Sequence, residues 1–366
     1  MAAKIVNYFA GGNTARGFYS LYESSLRDLN KLFILKGGPG TGKSTLMKQI
    51  GAAFYEKGYD VEYLHCSSDN SSIDGLKIPA LKAGVVDGTA PHVIEPKAPG
   101  AIEEYVNLGE AWDAEILAPQ RDVILQINQK MSESYQVAYR LFAEALKVHD
   151  EWEKIYIENM DFAKANEFTN ELIGRLFWDK QDGNKASVVH RFLGAATPEG
   201  AVDYVQNLTE DTPHRYFIKG RPGSGKSTLL KKLVSHADAK GFDVEVYHCG
   251  FDPNSLDMVI VRELGFAIFD STAPHEYFPS RRGDEIIDMY TQFIKAGTDE
   301  KYQQEIAGIS SRYKAKMQEA IQYLAQAKTF HDELEDVYRP AMDFEKINKI
   351  TEAIKASLFQ LADHQS

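Results

Sequence analysis

The sequence predicts an α/β protein built twice, each copy a parallel sheet flanked by helices and followed by a long α-helical hairpin. Three observations carry this expectation: a repeat at half the chain length, short apolar runs alternating with helical segments, and a sustained helical period in the tail of each copy.

The repeat emerges when the 366-residue sequence is displaced by 183 positions. Residues 36–48, KGGPGTGKSTLMK, then match residues 219–231, KGRPGSGKSTLLK, at ten of thirteen places. Residues 58–69, GYDVEYLHCSSD, match residues 241–252, GFDVEVYHCGFD, at seven of twelve, and DGTAPH at 87–92 matches DSTAPH at 270–275 at five of six. Further on the offset falls to 182, laying His149-Asp150-Glu151 over His331-Asp332-Glu333 and Met160-Asp161-Phe162 over Met342-Asp343-Phe344. So long a period is that of a duplicated domain, since solenoid units are roughly 20–50 residues. The expected domains are 1–183 and 184–366, with the boundary near Gly183-Asn184 in the polar stretch Asp179–Lys185.

Within each copy the expected order is strand, helix, strand, glycine-rich loop, helix, strand, loop, strand and then long helices. Leu32–Lys36 and Tyr216–Lys219 are short apolar runs ending before glycine, as a buried parallel strand requires. Ser44–Lys57 and Ser227–Lys240 continue as helices that stop before Gly58 and Gly241. Val61–Cys66 and Val244–Cys249 are rich in strand formers, and Gly84–Asp87 and Phe266–Asp270 supply a third core strand. Strands alternating with helices point to a parallel sheet.

The tails change character. From Ile124 to Ile155, apolar residues recur at spacings of three and four, and the second copy repeats this from Ile306 to Val337. A helix of about 40 residues spans about 60 Å. A shorter helix then returns, Phe162–Phe177 and Phe344–Phe359, with Arg339-Pro340 breaking the chain between the second pair. The hairpins, about 116–178 and 299–362, are expected to pack on each other and on the domains; the alternative is an arm for a protein partner.

Composition bounds the function. Hydrophobic residues at 43% and charged residues at 26% fit a globular protein. The net charge of −12 provides no overall basic footprint for nucleic acid. Neither a signal-peptide pattern nor a run of roughly 18 apolar residues is present, so no membrane span is expected. The two cysteines, Cys66 and Cys249, fall at matching places in separate copies, which suits a reducing cytoplasm better than a disulfide framework.

The chemistry concentrates in two loops. Gly37-Gly38-Pro39-Gly40-Thr41-Gly42-Lys43-Ser44 and Gly220-Arg221-Pro222-Gly223-Ser224-Gly225-Lys226-Ser227 both satisfy G-x-x-x-x-G-K-[ST], and Thr45 and Thr228 follow. Glycines allow successive backbone N–H groups to turn inward into an anion nest, and the next helix aims its positive end at the same place. Lys43 and Lys226 are expected to reach the β- and γ-phosphates of ATP, while Ser44 and Ser227 ligate Mg²⁺. Asp87 and Asp270 end apolar runs beside the loops, where a carboxylate holds the metal. The competing reading makes them turn aspartates bonding the next backbone amides.

Other polar residues follow strand ends and so belong near the nucleotide: His65, Cys66, Asp69 and His92, with His248, Cys249, Asp252 and His275 in the second copy. His-Cys-His also suggests a metal set, but three soft ligands fall short of a structural zinc site. The motifs of common GTPases, ABC ATPases and Asp-Glu ATPases are missing, which leaves the general base unassigned and points to slow hydrolysis. Arg221, Arg281 and Arg282 occur only in the second copy, as candidate arginine fingers or as surface charge.

The two loops, the paired Tyr-Leu-His-Cys and Val-Tyr-His-Cys strand ends and the D-[GS]-T-A-P-H segments together resemble a family of tandem P-loop proteins from Gram-positive bacteria, labelled as ATPases or nucleotide-binding proteins. The resemblance extends over nearly the whole chain and implies tandem P-loop NTPase domains that bind ATP. The leading expectation is a slow, Mg²⁺-dependent ATPase in which nucleotide changes the arrangement of the two domains. The alternatives are a small-molecule kinase, with Asp69 or Asp252 taking the acceptor's proton, and a non-enzymatic scaffold with structural nucleotide.

Overall fold

A computed structural model describes residues 3–178 and 185–365 of the protein. The boundary expected at Gly183-Asn184 lies outside the described residues. The first half contains strands β1 (Ile5–Phe9), β2 (Gly11–Thr14), β3 (Gly17–Ser20), β4 (Lys31–Lys36), β5 (Val61–His65), β6 (Ile73–Ile78), β7 (Ala83–Asp87) and β8 (Glu103–Asn107). Its helices are α1 (Tyr22–Ser25), α2 (Lys43–Glu56), α3 (Ala114–Leu117), α4 (Arg121–Ile157) and α5 (Phe162–Phe177). The second half repeats the plan with β9 (Val188–Phe192), β10 (Gly194–Thr197), β11 (Gly200–Asp203), β12 (His214–Lys219), β13 (Val244–His248), β14 (Leu256–Val261), β15 (Phe266–Asp270) and β16 (Asp284–Asp288). Its helices are α6 (Val205–Leu208), α7 (Lys226–Lys240), α8 (Met289–Phe293), α9 (Thr298–Lys301), α10 (Gln303–Tyr338) and α11 (Phe344–Gln365).

Twelve strands form one sheet in the order β16-β12-β15-β14-β13-β9-β1-β5-β6-β7-β4-β8. The halves meet at β1 and β9, which approach antiparallel with Phe9 opposite Phe192. Side chains from each half close this seam reciprocally: the Asn7 N–H donates to Asn207 Oδ1 at 2.8 Å, and the His190 N–H donates to Ser24 Oγ at 2.7 Å. Beside the seam Glu62 is half-buried, accepting from the Tyr8 hydroxyl at 2.7 Å and Lys77 at 3.0 Å, with Arg191 of the other half 3.4 Å away. Burial alone would raise its pKa, but Arg191, Lys77 and Tyr8 outweigh that and pull it down to about 2.

The sheet corrects the expected all-parallel arrangement. Strands β4, β7 and β8 run parallel, as do β1 and β5, but β6 is antiparallel to both β5 and β7, and β14 repeats this in the second half. Strand β6 falls where a loop is expected; Ile-Asp-Gly-Leu-Lys-Ile mixes charge and glycine into the run, yet every residue of it is buried. Partners make this possible: Asp74 accepts from the Tyr22 hydroxyl at 3.0 Å, and Lys77 meets Glu62. The two edge strands β8 and β16 and the β2–β3 and β10–β11 hairpins were likewise not anticipated.

The long helices form close to the expected lengths, 37 residues in α4 and 36 in α10. They pack against each other in opposite directions: Arg312 meets Glu151 at 2.6 Å, Lys316 meets Glu144, and Ser134 lies 3.4 Å from Gln326. Ala138, Leu141 and Phe142 of α4 share a buried layer with Ala320 and Leu324 of α10. The returning helices cross between halves. Ile347, Ile354 and Leu358 of α11 belong to the core under α2 in the first half, while Ala165, Leu172 and Phe177 of α5 belong to the core under α7 in the second. Backbone pairs fix each crossing: Asp113 N–H to Ala341 O at 2.8 Å, and Asp161 N–H to Phe293 O at 2.8 Å. Among the described residues no helix is long and apolar enough to cross a membrane.

Candidate functional site

Strand β4 delivers the first glycine-rich loop at its C-terminal end, where α2 begins at Lys43. Gly40 (φ 68°) and Gly42 (φ 79°) adopt left-handed backbone, as do Gly223 (φ 73°) and Gly225 (φ 87°) in the second loop. A side chain would penalise each of these positions, which is why this chain path uses glycine there. Gly42 and Gly225 are the N-caps of α2 and α7. Both loops therefore turn through left-handed glycine straight into a helix N-terminus, a backbone path that suits an anion nest.

The lysines fold over the loops. Lys43 Nζ donates to the carbonyls of Gly37 at 2.9 Å and Gly38 at 2.8 Å and lies 3.6 Å from Asp87 Oδ2. Lys226 Nζ donates to the Arg221 carbonyl at 3.1 Å and lies 3.5 Å from Asp270 Oδ2. Register sets these pairs, since Asp87 stands opposite Leu35 of β4, and Asp270 opposite Ile218 of β12. The turn reading of each aspartate is seen directly. Asp87 Oδ1 accepts from the Thr89 N–H at 2.9 Å and its hydroxyl at 2.6 Å, as Asp270 Oδ1 does from Thr272 at 3.0 and 2.6 Å. The second oxygen of each is left facing the lysine.

Ser44 Oγ accepts the Ile73 N–H at 3.0 Å, and Ser227 Oγ accepts the Leu256 N–H at 3.0 Å, so β6 and β14 hold both hydroxyls toward the sheet edge. Thr41 Oγ donates to the Gly38 carbonyl at 2.9 Å and braces the first loop. Ser224 is buried at the matching place. Pro39 and Pro222 are half-buried, and Thr45 and Thr228 are exposed on the first helical turn. The serine hydroxyls and aspartate carboxylates are hard oxygen donors, the ligand type that Mg²⁺ takes.

The histidines serve different tasks. His65 Nε2 pairs with Asn7 at 2.8 Å, and His248 shares hydrogen bonds with His190 at 2.8 Å and the Pro253 carbonyl at 2.6 Å. His92 is buried 3.7 Å from Asp74, and His275 pairs with Asp203 at 2.8 Å. Both thiols are free and half-buried, and desolvation pushes each well up, with Asp74 acting on Cys66 and Asp257 on Cys249. Asp69 meets Lys328 at 3.4 Å, and Asp252 meets Arg16 at 2.9 Å; both partners come from the other half. Arg221 pairs with Asp299 at 2.9 Å and covers the Tyr290 ring. Arg281 donates to the carbonyls of Glu210 at 2.6 Å and Thr212 at 3.2 Å, and Arg282 is exposed. Neither Arg221 nor Arg281 is aimed at a loop of the other half.

The main site feature not read from sequence is the approach of the long helices. Helix α10 crosses the first loop, where the Gly40 N–H donates to Glu335 Oε1 at 3.3 Å. Helix α4 crosses the second loop, and a Cβ placed on Gly223 would lie 2.6 Å from the Glu153 carbonyl oxygen. Around these contacts His149, Asp150 and Glu153, and correspondingly His331, Asp332 and Glu335, place their ligand atoms within 4.8 Å of one another. Burial and the Asp150 charge raise the Glu153 pKa, against Lys226 and the Gly223 N–H, which lower it. The signal existed in the sequence, where His-Asp-x-x-Glu recurs at the 182 offset, but nothing there indicated that each helix crosses to the other half.

Two expectations follow. Gly223→Ala drives a methyl group into the backbone of α4 and places a side chain on left-handed backbone, at a cost of about 2–4 kcal/mol. Gly58→Ala meets only the backbone penalty, because nothing lies within 4 Å of its Cβ position at φ 89°. Thermal melts of the two variants compared with the natural chain check the difference.

The second concerns acid. Burial brings His65 down to about 4, with Lys48 adding to it, and brings His149 to about 4, with Lys226 adding to it. The unfolded chain protonates both near pH 6.5, so it binds more protons between roughly pH 6.5 and 4, and stability falls as pH falls through that window. Each group contributes about 1–2 kcal/mol of loss by pH 5, allowing for partial exposure. Urea midpoints at pH 7 and 5 measure it, and His65→Gln should remove part of the dependence.

Comparison of the chain with protein-family models, with curated proteins and with solved structures finds no match.

Proposed function

We propose that the protein is an ATP-binding tandem P-loop NTPase that hydrolyses ATP slowly with Mg²⁺ and uses the nucleotide state of two loops to change how its halves sit together. One observation carries the reading. A complete G-x-x-x-x-G-K-[ST] loop occurs twice, each between a buried strand and a helix N-terminus, and each lysine is within 4 Å of an aspartate on the adjacent strand.

In this reading the loop amides and Lys43 or Lys226 hold the phosphates, and Ser44 with Asp87, or Ser227 with Asp270, hold Mg²⁺. The crossed helices provide the link to motion. Because α10 rests on the first loop and α4 on the second, a phosphate entering either loop acts on a helix belonging to the other half. The kinase alternative gains nothing from the geometry, since Asp69 and Asp252 are already engaged by Lys328 and Arg16.

Calorimetric titration with Mg-ATP, followed by assay of phosphate release without an added acceptor, tests the proposal. Binding with acceptor-independent release supports it. ADP formation only when a small-molecule acceptor is present replaces it with the kinase, and bound nucleotide that never turns over replaces it with the scaffold.

A further inference from the structure

The sequence leaves each loop without a general base, and the structure places a glutamate from the other half at each. We propose that Glu335 is the general base of the first loop and Glu153 that of the second, so that each nucleotide site is completed by the long helix of the opposite half. This rests on the ATP-binding reading and extends it to hydrolysis.

Four observations support the assignment. Glu335 already touches the nest, its Oε1 accepting from the Gly40 N–H at 3.3 Å. Glu153 holds the corresponding place in the duplicate, with its backbone against Gly223. Neither contact is a chance encounter of mobile side chains, because α4 and α10 are locked together along their length by the Arg312–Glu151 and Lys316–Glu144 pairs and the Phe142 layer. A histidine one turn earlier stands behind each carboxylate, His149 Nδ1 at 3.7 Å from Glu153 and His331 Nδ1 at 3.9 Å from Glu335.

Phosphate oxygens entering the nest take over the Gly40 N–H and leave the carboxylate beside the terminal phosphate. The glutamate accepts a proton from water as the water oxygen bonds to the γ-phosphorus. The bond from that phosphorus to the bridging oxygen breaks, leaving ADP and inorganic phosphate, and the glutamic acid then returns its proton to solvent. Burial and Asp150 raise the pKa of Glu153, which moves it toward the range of an effective base.

The test uses pairs of changes in the full chain, with phosphate release and ATP affinity measured separately. With the second loop disabled by Lys226→Ala, adding Glu335→Gln should lower the remaining release by about 100-fold or more at unchanged ATP affinity. Adding Glu153→Gln to Lys226→Ala should cause no further loss, because both changes strike the same site. The Lys43→Ala background should show the converse. Glu→Gln should also abolish the acidic limb of the pH–rate profile, the fall in rate as the carboxylate is protonated, which a merely structural role would not. The opposite pairing would place each glutamate on the loop of its own half and overturn the proposal. So would unaltered rates in the glutamine variants or the lack of phosphate release from the natural chain. Failure of the ATP reading itself has a different signature, namely unaltered ATP affinity when Lys43 and Lys226 are both replaced.

Discussion

If the loops hold ATP as proposed, replacing Lys43 and Lys226 together by alanine should weaken ATP binding by about 10²–10⁴-fold at both loops, and each single replacement should remove one of two nucleotides. Each ammonium lies over its loop beside Asp87 or Asp270, with most of its surface covered. Phosphate oxygens would replace the loop carbonyls as its acceptors, and hydrogen bonds between charged partners contribute about 1.5–3 kcal/mol each. Two such bonds account for the expected loss in affinity. The fold should survive, because the lysines contribute to neither core. Calorimetry with each single variant separates the loops, and circular dichroism verifies that the chain remains folded.

Residues 1–183 expressed alone should fail to fold, and mixing them with residues 184–366 should restore a stable complex. The reason is the crossing of the returning helices. Ile347, Ile354 and Leu358 are 5%, 4% and 0% exposed within the first half's core, although they belong to the second half. At about 1.5–3 kcal/mol for each buried aliphatic side chain, these three contribute roughly 5–9 kcal/mol. That equals much of the net stability of an ordinary domain, about 5–15 kcal/mol. Phe177 and Leu172 make the same contribution in the opposite direction. Cooperative melting of the mixture but not of either piece is the expected outcome. An independently cooperative 1–183 fragment would mean that the crossed helices are dispensable.

What could be read in the sequence depends on how local the signal is. The loops were legible because glycine spacing, lysine and serine encode one backbone path, and that path lies between a predicted strand and a predicted helix. Helix α5 was placed at its observed limits because its apolar period is unbroken and Asp161 caps its start by accepting the Lys164 N–H at 3.0 Å. Strand β6 was illegible because Asp74 and Lys77 look solvent-exposed until Tyr22 and Glu62 are brought to them from 52 and 15 residues away.

The crossing of the halves was illegible for a related reason. Amphipathic period shows that α11 has an apolar face, but both cores offer an equivalent surface, because they are copies of one another. Connection geometry makes the choice, through the short antiparallel bridges Trp112–Met342 and Met160–Ile294. The positions of Glu153 and Glu335 over the loops were hidden with it, since a glutamate on a long helix has no meaning until the surface it covers is known.

The central claim is that both loops hold nucleotide, and isothermal titration of the full chain with Mg-ATP tests it most directly. The proposed function predicts two ATP per chain, falling to one in either single lysine variant. Absence of binding, or stoichiometry unaffected by replacing both lysines, would contradict it.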